Sequence, residues 1–130
     1  MSAARAHRRR AAAALAPLGL HPGQELLLSI LAKWGSATQV QLARILGVEP
    51  PTIAKMVGRL EAAGFAERTP DPRDARAKLV SLTDQGADAA AHVTAVWAEL
   101  SALTHAGLTP DEAEQLTRLL ARVTDRLERG

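Results

Sequence analysis

Thr52, Lys55 and Arg59 stand at i, i+3 and i+7, interleaved with Ile53, Met56, Val57 and Leu60 at i, i+3, i+4 and i+7. At helical periodicity the apolar set marks one buried stripe, and the polar set forms one line along the opposite side. A hydroxyl, an ammonium and a guanidinium in such a line can meet phosphate oxygens, and an arginine can also bind a guanine edge through two hydrogen bonds. A second set of donors follows in Asp71-Pro72-Arg73-Asp74-Ala75-Arg76. The carboxylates there stand where they could orient Arg73 and Arg76 before those side chains enter a narrow groove. Thr38, Gln39 and Gln41, just upstream, are polar residues at the start of another short helical pattern and could touch a nucleic-acid backbone. The plain alternative is a solvated surface with a salt-bridged loop, which individual lysines and arginines usually provide.

Other chemistries find little purchase. The chain has no cysteine, which excludes disulfides, thiolate metal sites and thiol redox sensing. No HExxH, glycine-rich phosphate loop or Ser/His/Asp arrangement suggests an enzyme. Asp88 and His92 lie one helical turn apart, but His7 and His105 are isolated, so neither a metal nor a cofactor is expected. The longest apolar run, Leu26-Leu27-Leu28, cannot span a bilayer, and no secretory apolar region opens the sequence. An arginine-rich start could imitate a transit peptide, but a basic helix end is the simpler reading. Cytoplasmic placement is expected.

The net charge of +2 is unevenly distributed. Residues 1–10 carry four Arg and no acid, residues 38–82 balance to +2, and residues 83–130 balance to −4. Such polarity would turn the middle of the chain toward a polyanion. At 130 residues the chain is one domain, or one domain with a helical extension. With Trp34, Trp97 and Phe65 its only aromatics, the core must come from Leu, Val, Ile and Ala, which suits packed helices.

The elements that must position these residues follow from caps and periodicity. An Ala-rich helix is expected over 3–16, stopped by Pro17 and Gly19. A second should open with His21 as cap and Pro22 in its first turn, carry the stripe Leu27, Ile30, Leu31, Trp34, and close at Gly35. Thr38 and Gln41 form a capping box for a third, whose inward residues read Val40, Leu42, Ala43 and Leu46 before Gly47. Pro50 and Pro51 fit the first turn of a fourth, which Gly64 ends; Gly58 in its middle should cost about 1 kcal/mol relative to Ala. Short strands are expected at 65–69 and 77–82, joined by the loop 70–76. Thr83 should cap a long helix to about Thr104, with Val93, Val96, Trp97, Leu100 and Leu103 on one side. Thr109-Pro110-Asp111-Glu112 opens the last helix, with the stripe Leu116, Leu119, Leu120, Val123 and Leu127.

Helix, glycine corner, helix and basic hairpin in that order describe a winged helix-turn-helix, which offers one helix to the major groove and a loop to the neighbouring backbone. From Leu18 to Leu127 the chain resembles the MarR family of bacterial transcriptional regulators. The resemblance is carried by Thr38 through Val48, by Pro51-Thr52-Ile53, by Arg59 through Phe65, and by Asp71-Pro72-Arg73-Asp74 through Arg76 to Lys78–Thr83. It implies a mainly α fold: a winged helix-turn-helix with a two-stranded β-wing and N- and C-terminal dimerisation helices. The implied division is a dimerisation helix at 1–20, a DNA-binding lobe at 21–83 and dimerisation helices at 84–130. The implied function is a regulator, with repression the expected output, that binds a palindromic operator in double-stranded DNA as a homodimer. Arg76 best matches the wing arginine that enters the minor groove, with Arg73 second. The DNA-binding set is then Thr38, Gln39, Gln41, Thr52, Lys55, Arg59, Arg73 and Arg76.

Three departures stand out. Ala75 occupies a place where a second arginine is common, Glu49 a cap where serine is usual, and the first helix is short. The family's frequent response to small aromatic effectors suggests a cleft that His21, Trp34 and Trp97 could line, although both tryptophans lie on apolar stripes and read first as core residues. A protein-contact module built on the same fold remains the alternative. Affinity that falls steeply with salt would mark DNA binding instead.

Overall fold

A computed structural model describes residues 2–21 and 23–130. The order is α1 (Ala3–Leu15), a 3-10 turn (Ala16–Leu18), α2 (Gln24–Trp34), β1 (Ser36–Thr38), α3 (Gln39–Leu46), α4 (Pro50–Ala62), β2 (Ala66–Asp71), β3 (Asp74–Leu82), α5 (Asp84–His105) and α6 (Pro110–Arg129). The chain divides into two compact units, residues 1–97 and 98–130.

The first unit is built around Leu27, Leu28 and Leu31 of α2, Leu42 of α3, Ile53, Val57 and Leu60 of α4, Val80 of β3 and Val93 of α5, all essentially inaccessible. Each such side chain contributes about 1.5–3 kcal/mol by leaving water. The three strands form an antiparallel sheet in the order β1-β3-β2. In the second unit, α6 opens with Thr109 and Glu112 in a reciprocal capping box, as its sequence indicates.

Most helix boundaries follow the caps. Gly19, Gly35 and Gly47 terminate their elements with positive φ, and Thr38 caps α3 in a box with Gln41. The start of α2 differs. Its N-cap is Gly23, and His21 lies ahead of it, donating its backbone N–H to Gln24 Oε1 at 2.8 Å. The side chain of the first helical residue thus reaches back, a role that sequence reading gave to His21 reaching forward. The expectation for Pro22 lies outside the described residues.

Three further expectations need correction. Val40 is 63% exposed rather than inward. The box places helix entry so that Leu42 and Ala43 take the buried side, while Gln39 is half-buried. Trp34 is 52% exposed, because it is the final residue of α2 and the buried stripe of that helix ends at Leu31. Leu103 is likewise 50% exposed.

The sheet also exceeds the expectation of two strands. β1 pairs with β3 through Ser36↔Ser81, Ala37↔Val80 and Thr38↔Leu79. Three residues are too few for a periodic signal, and only the partner strand makes them a strand. The wing strands also run further than 65–69 and 77–82, into the expected loop. Pairing continues to Asp71↔Asp74, leaving Pro72 and Arg73 at the tip. Pro70 can sit in a strand here because β2 is an edge, and the register shifts at Pro70/Asp71.

Candidate nucleic-acid interface

Helix α4 presents the expected two sides. Ile53, Val57 and Leu60 are buried and Met56 is half-buried, whereas Thr52, Lys55 and Arg59 are exposed. The helix begins at Pro50 and Pro51, which supply φ values suited to a first turn while removing two N–H donors. Glu49 is the N-cap residue but makes no side-chain cap bond, so the first turn is held by backbone alone. The donors facing outward from α4 are therefore mainly side chains.

Helix α3 is placed against α4 by Leu42 and Ala43. Thr38 Oγ1 accepts from Gln41 N at 3.2 Å, and Gln41 Oε1 accepts from Thr38 N at 2.9 Å. Both oxygens are thus engaged in the cap, leaving the exposed Gln41 amide NH2 as the outward group. Thr38 is half-buried and also the last residue of β1. One residue therefore ties the entry of α3 to β3, the strand that climbs into the wing.

At the wing, Asp71 Oδ1 accepts from Arg73 N and Asp74 Oδ1 accepts from Arg76 N, each at 2.9 Å. These are side-chain-to-backbone turns of the kind aspartate forms two residues ahead. The carboxylates shape the hairpin backbone instead of pairing with the guanidinium groups. Neither Arg73 nor Arg76 has an ion-pair partner among the described residues, and both are exposed. The base of the wing is braced by Arg68 Nε, 3.0 Å from Glu61 Oε1, which joins β2 to the last turn of α4. The pair is close enough for Coulomb attraction, but it is not aligned as a hydrogen bond. Sequence reading missed this pair, because its members lie seven residues apart across a glycine turn.

The outward line borders a shallow cleft of about 290 Å³ lined by Gly19, His21, Gln24, Arg59, Ala62 and Ala63. Of the three effector candidates, His21 lines it and the two tryptophans do not. Trp97 is half-buried and stacks on His7, with ring centroids 6.3 Å apart and planes inclined by 11°. Gln24, which sequence reading did not single out, is 4% exposed beside His21. Its signal was a polar residue on a helix face otherwise filled by leucine.

A helical core with a three-stranded sheet, an outward basic line on its second corner helix and two exposed arginines at the hairpin define a winged helix-turn-helix protein. The MarR family model matches residues 20–78. The HTH-type transcriptional regulator YwaE of Bacillus subtilis (strain 168), described as uncharacterized, is 32% identical over 94 residues, which is 72% of this chain and 55% of that protein. The match therefore spans little more than half of that curated relative. Among solved structures, a mutant MarR from E.coli complexed with operator DNA superposes with a TM-score of 0.82 at 30% identity, covering 92% of this chain and 86% of that one. The reduced form of MarR from E.coli gives 0.81 at 32% identity, covering 92% and 88%. YusO from Bacillus subtilis gives 0.75 at 26% identity, covering 93% and 86%. The chain belongs to the MarR family.

Among the described residues no helix is long and apolar enough to cross a membrane.

Proposed function

We propose that this protein is a DNA-binding transcriptional regulator of the bacterial cytoplasm that grips a palindromic operator as a homodimer, represses there, and is released by a small ligand. The reading rests on one observation above the others: Thr52, Lys55 and Arg59 are exposed on the side of α4 opposite the buried Ile53, Val57 and Leu60. A helix held in that phase can enter the major groove with its polar line leading. Arg73 and Arg76, without ion-pair partners among the described residues, reach the flanking backbone or minor groove. Thr38, Gln39 and Gln41 serve as backbone contacts at the start of α3, with Thr38 and Gln39 half-buried and Gln41 exposed. The structure of a MarR relative complexed with operator DNA supports the same use of the fold here.

In this reading residues 21–83 form the DNA-binding lobe, and 1–20 with 84–130 supply the dimer contacts. The cleft supports the ligand part. His21 and Arg59 both line it, so a small anionic or aromatic molecule lodged there would sit beside a side chain used for DNA.

Selection of bound fragments from genomic or random DNA with the purified protein tests this. A two-fold symmetric motif with half-sites about one helical turn apart is expected. Failure to enrich any sequence, with binding that barely responds to salt, would instead favour a protein-contact role.

A further inference from the structure

Glu49 is left over once the donors of the DNA-facing surface are assigned. It is the only acidic residue between Thr38 and Leu60, a stretch that also holds Arg44, Lys55 and Arg59. It is exposed, and it makes no ion pair with those three or with any other described residue. Of the other acids in residues 38–82, Glu61 lies against Arg68, and Asp71 and Asp74 hold the turns of the wing. Glu67 belongs to β2 and not to the helix pair.

Local chemistry explains why this carboxylate is free. An N-cap side chain ordinarily accepts from the backbone N–H of the second or third helical residue. Pro51 is the second residue of α4 and has no N–H. Thr52 is the third, and its N–H donates instead to the backbone carbonyl of Glu49, at 3.0 Å. Ile53 N donates to the same oxygen at 3.1 Å. The run Glu49-Pro50-Pro51-Thr52 thus leaves a charged acceptor with no local donor. It stands at the leading end of the helix whose exposed line begins three residues later with Thr52.

DNA offers such an acceptor one kind of partner. Phosphate oxygens repel a carboxylate. In the major groove guanine shows two acceptors, thymine an acceptor and a methyl group, and adenine an acceptor next to its amino donor. Cytosine alone shows an amino donor with no acceptor on the same edge. We propose that Glu49 is a specificity-determining residue of the DNA-reading helix, its carboxylate accepting a hydrogen bond from N4 of a cytosine in each half-site. The inference rests on the DNA-binding reading and deepens it by naming a base. Thr52 and Lys55 supply donors that phosphates of any sequence can satisfy, whereas Glu49 adds attraction at a C·G pair and repulsion elsewhere.

The test compares DNA selected from a random pool by the full-chain wild type, Glu49→Ala and Glu49→Gln. The wild-type motif should carry a C·G pair at one symmetric position of each half-site. Glu49→Ala should lose the preference there and keep it at the other positions, which also shows that the variant is folded. Glu49→Gln should admit an A·T pair at that position, because an amide matches adenine's donor and acceptor. Changing the C·G pair to T·A in the selected operator should weaken wild-type binding about tenfold and Glu49→Ala binding less than about twofold. Binding of Glu49→Ala to unrelated DNA should tighten at low salt, since a charge that repels phosphates is gone. Identical motifs from wild type and Glu49→Ala, or a preference lost at a pair other than C·G, would overturn the proposal. A wild type that enriches no motif would instead remove the DNA-binding reading, and this inference with it.

Discussion

Thr83 Oγ1 donates a hydrogen bond to Gly64 O at 2.6 Å, across nineteen residues of chain. The same hydroxyl accepts from Gly86 N at 3.1 Å, and Thr83 N donates to Phe65 O at 3.0 Å. One threonine therefore closes the wing's exit onto the turn after α4 while capping α5. The outward line of α4 and the wing arginines are held in one frame by this closure.

That closure requires an unusually close backbone approach at Gly86, where an added Cβ would lie 1.9 Å from Phe65 O. Because the obstructing atom is backbone, no rotamer change relieves the clash. Gly86→Ala is expected to destabilise the protein by more than about 3 kcal/mol, seen as a large fall in thermal midpoint. A midpoint equal to wild type would mean that the wing and α5 are not packed in this way.

Ile53 is 1% exposed on the face of α4 opposite Lys55. Ile53→Asp would bury an unpaired carboxylate and should cost about 3 kcal/mol or more in denaturant unfolding. A normal unfolding curve would contradict the rotational setting of α4, and with it the outward direction of Thr52, Lys55 and Arg59.

Arg59 and Arg76 are exposed and make no ion pair among the described residues, so neither should support the fold. Arg59→Ala and Arg76→Ala are each expected to weaken operator binding by about tenfold, the loss of one good arginine contact. Their melting should be unchanged. Gel-shift affinities equal to wild type in both variants would defeat this assignment.

Gly58 occupies the middle of α4, and an added Cβ would meet nothing within 4 Å. No intramolecular packing calls for glycine there. Gly58→Ala should raise stability by up to about 1 kcal/mol through helix propensity alone; a lower melting temperature would show a steric demand from within the protein.

Glu112 accepts a backbone hydrogen bond from Thr109 N at 2.9 Å, and that bond, joined by the bond with the Thr109 side chain, holds its carboxyl below the usual value of 4.5. Because the folded value is depressed, the stabilisation is complete above the unfolded value and is lost as pH falls through the lower folded one. Acidification below about pH 4.5 should therefore reduce α6 helicity more in wild type than in Glu112→Gln, whose side chain keeps an acceptor but does not titrate. Identical acid profiles by circular dichroism would rule out this contribution.

Much of this was legible in the residues. The boxes Thr38–Gln41 and Thr109–Glu112 announce their helices because each satisfies end groups locally, within four residues. The phase of α4 was legible for a similar reason: thirteen residues give nearly four turns of periodic signal. Failures came where contact partners are distant. Val40 and Trp34 looked inward by pattern, yet neither position says where the neighbouring element stops. The carboxylates of Asp71 and Asp74 have arginines beside them in sequence, but the backbone N–H groups were nearer and took the bonds.

Sequence alone determined where most of the helices begin and end, which side of α4 is apolar, and that a basic hairpin follows it. These depend on interactions spanning one or two turns of chain, and such interactions leave periodic or capping signatures. Tertiary structure alone decided that Ser36–Thr38 becomes a strand, that the hairpin extends to Asp71 and Asp74, and that Gly86 must lack a side chain. The first and last of those outcomes require groups far apart in sequence to arrive at one place, and the reach of the hairpin depends on how far β2 and β3 stay paired, which no periodic pattern encodes.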